Sequence, residues 1–152
     1  MADEQGGKSQ GDARKILLVE DDPMIRNSLE WVLPALGYQV RPFETGEEAL
    51  SGIPPDERTS FAHLIVDLSL PGMRGEVFTR EWLESLTEAV HARPTVLFCS
   101  GLQEGELRLA ASAISDLISE ERIQFLRKPF RIGELERLLA VGREEGVVIK
   151  SA

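Results

Sequence analysis

Short unbroken apolar runs alternate along this chain with segments whose apolar positions recur every three or four residues. Ile16 to Val19 is four apolar residues in a row, the pattern of a strand buried on both faces. Ile25, Leu29, Val32, Leu33 and Leu36 follow at helical spacing and stop at Gly37. Tyr38 to Phe43 reads as a second strand and Glu47 to Ile53 as a short helix. "FAHLIVD" (61–67) is a third strand, 77–90 a helix, "TVLFCS" (95–100) a fourth strand. Leu107, Ala110, Ala111, Ile114 and Ile118 mark another helix, "IQFL" (123–126) a fifth strand, and Ile132, Leu135, Leu138 and Leu139 the last helix. Five strands alternating with five helices predict an α/β chain wound around a parallel sheet. Pro42 lacks an amide donor, which suits an edge strand. The order 2-1-3-4-5 puts it there and opens a switch point between strands 1 and 3, where ligands of such sheets bind. The polar, Gly-rich stretch 1–13 is expected to be a disordered arm, 14–142 the folded domain and 143–152 a short tail.

The strand ends carry the chemistry. Strand 1 ends in Glu20-Asp21-Asp22, strand 3 in Asp67, strand 4 in Ser100, and strand 5 runs into Lys128. Each is an ordinary polar terminus by itself; together they bring acids, a hydroxyl and an ammonium to one rim. Crowded carboxylates repel and raise one another's pKa unless a positive partner holds them ionised. Oxygen ligands of this kind suit magnesium, which binds oxygens at about 2.0–2.1 Å. Asp22 precedes Pro23 at the head of a helix, where Asp is a favoured cap and Pro a favoured first residue. That leaves Glu20 and Asp21 for the cation. Asp67, alone on the central strand, is the best placed nucleophile toward a phosphoryl group, with Lys128 and Ser100 beside it.

Composition narrows the rest. The 152 residues carry a net charge of -9, against general binding to nucleic acid or an anionic membrane, which needs a basic face. No apolar stretch approaches a membrane span of roughly 18 residues, and the single cysteine, Cys99, excludes an intrachain disulfide. A cytoplasmic location is the expectation. Cys99 and His63 read as interior groups, His91 as a loop residue, and Trp31 and Trp82 as half-buried packing groups.

"ILLVEDDPMIR", "LIVDLSLPGMRG", "LFCSG" and "FLRKPF", in that order, resemble the receiver domain of two-component response regulators. The resemblance covers about 15–141 and implies a flavodoxin-like, doubly wound three-layer sandwich. It further implies that Asp67 accepts a phosphoryl group from a histidine kinase or histidine phosphotransfer protein. Asp21 and Asp67 would touch magnesium, with Glu20 acting through water and Ser69 offering its backbone carbonyl. Lys128 would pair with phosphoryl oxygens, Ser100 would bond one of them, and Phe125 occupies the aromatic switch position. Lys128-Pro129 matches the family's cis peptide.

The chain also departs from the pattern. Pro34 falls within the first helix and is expected to kink it. The segment from Ser100 to Lys128 is long and ends in "SDLISEERIQF"; Arg131 stands where a helix cap is common, and Leu102 where many relatives are polar. Only eleven residues follow Val141, so the expected output is phosphorylation-dependent protein binding by a stand-alone receiver. The alternative is a receiver from a hybrid histidine kinase or a phosphorelay intermediate. A flavin carrier of the same architecture is disfavoured because "EDDPM" repels phosphate. An aspartyl-phosphate hydrolase is disfavoured because strand 1 lacks a DxD nucleophile.

Overall fold

The computed structural model describes residues 13–86, 93–101 and 104–143. The arm, the tail from residue 144, His91 and Leu102 lie outside them, whereas the helix expected over 77–90 starts at Gly75 and already ends at Glu84, capped at Ser85. Five strands form one parallel sheet in the order β2-β1-β3-β4-β5. They are β1 (Arg14–Val19), β2 (Tyr38–Phe43), β3 (Phe61–Asp67), β4 (Thr95–Ser100) and β5 (Ile123–Arg127). Pro42 pairs with Leu18 on the edge strand, as its missing donor requires. β1, β3 and β4 are apolar runs because both faces of the central sheet are covered.

The helices are α1 (Pro23–Ala35), α2 (Gly46–Gly52), α3 (Pro55–Arg58), α4 (Gly75–Glu84), α5 (Glu104–Ser112) and α6 (Ile132–Arg143). Among the described residues there are therefore six α-helices rather than five. α3 is a single turn started by Pro55 in the first position, too short for any periodic pattern to reveal it. Two apolar layers sandwich the sheet. Leu17, Leu64, Val66, Val96 and Phe98 face Phe78, Trp82, Leu107 and Ile114 on one side. Ile16, Leu18, Ile65 and Leu97 face Leu29, Leu33, Leu135 and Leu139 on the other.

Several local expectations meet a different outcome. Pro34 does fall within α1, in its last turn, and the helix ends one residue later at Ala35. Gly37, at φ +101°, then turns the chain with its amide on the Pro34 carbonyl. Neither tryptophan is half-buried. Trp31 is 82 % exposed on the outer face of α1, while Trp82 is fully enclosed between Phe61 and Phe78. Helical spacing alone does not separate an inward from an outward aromatic. α5 ends at Ser112, and residues 113–118 continue as turns that still bury Ile114 and Ile118. Arg131 does serve the start of α6: its amide donates to Glu134 Oε1 at 3.0 Å, half of a capping box.

Candidate functional site

A parallel sheet aims all its carboxyl ends one way, and the rim so formed gathers the acids. β1 ends beside β3 in register, with Val19 opposite Val66, so Glu20 and Asp67 emerge as neighbours. β4 and β5 align Ser100 with Arg127, and the Lys128 amide donates to the Ser100 carbonyl at 2.9 Å. That bond delivers the lysine to the same rim.

One carboxylate oxygen from each of Glu20, Asp21 and Asp67 lies within 4.8 Å of the others. Lys128 Nζ stands 3.1 Å from an oxygen of Glu20 and 3.1 Å from Asp67 Oδ2. Glu20 and Asp67 are buried, Asp21 is partly so, and Lys128 reaches in from the side. The Ser69 amide holds Asp67 Oδ1 at 2.9 Å, and the Asp22 amide holds Glu20 Oε2 at 3.1 Å. Arg26 donates to the backbone carbonyl of Glu20 at 2.8 Å rather than to a carboxylate.

Three acids around one ammonium are under-compensated, and their protonation shows it. Burial, with the Asp67 charge beside it, pushes the Glu20 carboxyl up to about 7. Burial and Asp67 raise Asp21 as well. Burial also acts to raise Asp67, but the Ser69 amide, Glu20 and Lys128 outweigh it and hold that carboxyl below its usual range. The acid at the end of the central strand is thus the one whose ionised form its neighbours favour. Burial lowers Lys128, but hydrogen bonding and charge from Asp67 and Glu20 prevail and raise it, so it remains an ammonium.

The three acids of "VEDDP" divide as their positions require. Asp22 is exposed and caps α1, accepting the Met24 amide at 2.9 Å, with Pro23 first in the helix. Ser100 is buried at the rim, and its hydroxyl position follows from the last residue of β4. The Ser69 side chain is exposed, just past Asp67. Phe125 lies further off: it is half-buried, stacked on Phe98 with ring centroids 6.1 Å apart, against the apolar layer near α5. Lys128-Pro129 is cis. Cys99 is buried, and burial raises its thiol far out of the reactive range. His63 is interior, with Nδ1 3.2 Å from Thr95 Oγ1.

Sequence reasoning passed over Gly75. A Cβ there would stand 2.4 Å from the Asp67 carbonyl oxygen, so only glycine lets α4 start against the end of β3. The "PGMRG" stretch was the available signal. Among the described residues no helix is long and apolar enough to cross a membrane.

A doubly wound 2-1-3-4-5 sandwich is the flavodoxin-like fold, here with acids and a lysine gathered at the carboxyl rim of its sheet. The chain belongs to the response regulator receiver domain family, whose model matches residues 16–140. Receiver domains are the modules that histidine kinases phosphorylate. Among curated relatives, the transcriptional regulatory protein QseB of Escherichia coli O157:H7 is 40 % identical over 73 residues, 46 % of this chain and 31 % of that protein. Nodulation protein W of Bradyrhizobium diazoefficiens is 28 % identical over 132 residues, 86 % of this chain and 52 % of that protein. The chain thus spans about half the length of these relatives, or less. The solved structure of Vibrio cholerae chemotaxis protein CheY4 matches with a TM-score of 0.69 at 23 % identity, covering 84 % of this chain and 97 % of that one. The non-phosphorylated HemR receiver domain of Leptospira biflexa matches with a TM-score of 0.67 at 25 % identity, covering 85 % and 93 %.

Proposed function

We propose that Asp67 accepts a phosphoryl group from a phosphohistidine on a kinase or histidine phosphotransfer protein. The supporting observation is the placement of Lys128 Nζ 3.1 Å from both Asp67 and Glu20, within a cluster of three carboxylates. An Asp67 oxygen attacks phosphorus, the phosphorus–nitrogen bond breaks, and the leaving imidazole keeps the electron pair. Lys128 follows the phosphoryl oxygens as charge moves onto them, and the Ser69 amide keeps the other Asp67 oxygen oriented. The Ser100 hydroxyl closes on a phosphoryl oxygen of the product.

The donor set fits a hard divalent cation: carboxylate oxygens only, close enough to share one ion, and short of positive charge. Asp21, Asp67, Glu20 and the Ser69 carbonyl would hold magnesium. When bound, it neutralises the carboxylates and draws charge from the phosphoryl oxygens. The site residues otherwise act as binding and orienting groups, and self-phosphorylation and dephosphorylation are the only chemistry ascribed to them.

Output is phosphorylation-dependent protein binding, through the surface of α5, β5 and α6 on which Phe125 lies. This reading takes the protein as cytoplasmic, acting by contact with a partner protein and not by direct nucleic-acid binding. QseB, named as a transcriptional regulatory protein, and nodulation protein W are both longer than this chain, and neither lends it an output. Acetyl phosphate with magnesium should add one phosphoryl group, read by intact mass, and Asp67→Asn should abolish it. Undiminished labelling of that variant would overturn the assignment.

A further inference from the structure

We propose that Glu47 is a positioning residue for the phosphoacceptor: its carboxylate pins the loop between β3 and α4 and so fixes Asp67 and Ser69. The proposal rests on the reading of Asp67 given above.

"ETGEEAL" places two glutamates in the first turn of α2, and the helix uses only one. Thr45 Oγ1 accepts the Glu48 amide at 3.1 Å, and Glu48 Oε1 accepts the Glu44 amide at 3.3 Å. Glu47 instead reaches out of its helix and accepts the Met73 amide at 3.2 Å, 26 residues away. A first-turn acid is common on helix-dipole grounds alone. The distant partner is what sets this one apart.

The loop is shaped to receive it. Gly72 adopts φ +70°, and a Cβ there would stand 3.0 Å from Glu47 Oε2, so the carboxylate occupies the space a side chain would need. The loop's start is fixed by the Leu68 amide on the Cys99 carbonyl at 3.0 Å and by the Ser69 amide on Asp67. Its end is fixed by Gly75 against Asp67. Leu70 is buried between them, and Met73 packs on the same apolar layer. Glu47 holds the exposed middle, where the Gly72-Met73 peptide is tied by no strand or helix. A slack middle would let Ser69 drift, loosening its amide from Asp67 Oδ1 and displacing its carbonyl from the acid cluster.

The test follows phosphorylation by acetyl phosphate as a function of magnesium concentration in the whole chain. Glu47→Ala should raise the magnesium needed for half-maximal rate by about tenfold, the lower end of the scale for one charge-assisted hydrogen bond. Glu47→Gln keeps an acceptor oxygen and should restore most of the difference. Both variants should melt close to the parent, because Glu47 is exposed and does not cap α2. The Met73 and Ser69 amide resonances should shift in Glu47→Ala and return in Glu47→Gln. A magnesium dependence for Glu47→Ala that superimposes on the parent, or a Gln variant that behaves like Ala, overturns the role of Glu47 alone. A parent chain that takes no label overturns the reading of Asp67 and this proposal with it.

Discussion

The two ends of the sheet handle buried charge in opposite ways. At the amino end, Arg58 is buried with its guanidinium held by backbone carbonyls and an aromatic face. Nε donates to the Ile53 carbonyl and Nη2 to the Leu50 carbonyl, both at 2.8 Å, and the group stacks on Trp82 at 5.2 Å. At the carboxyl end, Glu20, Asp21 and Asp67 share Lys128 and remain short of positive charge. The first arrangement ties α3 to the end of α2 and to the Trp82 face of α4, and stabilises the fold. The second holds like charges together against their repulsion, which stabilisation alone would not select. One end holds a cation on neutral carbonyls; the other holds acids in excess of their cation.

Arg58→Ala offers the largest test of that contrast. It leaves two helix-terminal carbonyls without a donor and uncovers the Trp82 face, so stability should fall by about 2–4 kcal/mol in denaturant titration. A loss below about 1 kcal/mol would show that the amino end is not the anchored one.

Glu20→Gln should act with the opposite sign. The Glu20 carboxyl is raised to about 7 from 4.5, chiefly by burial and then by Asp67, so the folded state binds its proton more tightly than the unfolded state does. That contribution is complete below about 4.5 and is lost as pH rises through 7. The metal-free protein should therefore lose melting temperature between pH 5 and 8. Asp67 is lowered and titrates below this window, while Lys128 is raised and titrates above it. Glu20→Gln should flatten the profile and melt higher than the parent at pH 8, and magnesium should flatten the parent's profile in the same way. A parent profile that rises across the window would contradict the imbalance.

Asp22→Ala gives the smallest effect and the finest distinction. Removing the α1 cap should cost about 0.5–2 kcal/mol while leaving magnesium binding intact. Asp21→Ala should do the reverse. Exchanged phenotypes, measured by calorimetry, would mean that the acids of "VEDDP" are wrongly divided.

The carboxyl end was legible in the sequence because strand ends declare themselves: an apolar run stops and a polar residue follows. Once alternation gives a parallel sheet, Glu20, Asp21, Asp67, Ser100 and Lys128 must share a rim, whatever the loops do. Arg58 was not legible in the same way. Its partners are backbone carbonyls of another helix and a ring in α4, none of which leaves a pattern near residue 58. Trp31 and Trp82 fail for a related reason: each suits its own helix, and only the packing of neighbours decides which is enclosed. Glu47 differs from Glu48 through a contact 26 residues away, beyond the reach of local spacing.

The acid–lysine contacts join residues 61 and 108 positions apart in the chain. Such closures come late in folding, because entropy is lost before the contact rewards it. On a ribosome, β1 and β3 emerge well before Lys128, so a nascent chain carries the acids without their ammonium. The acid–lysine cluster should therefore be completed in a single late event, when β5 docks beside β4.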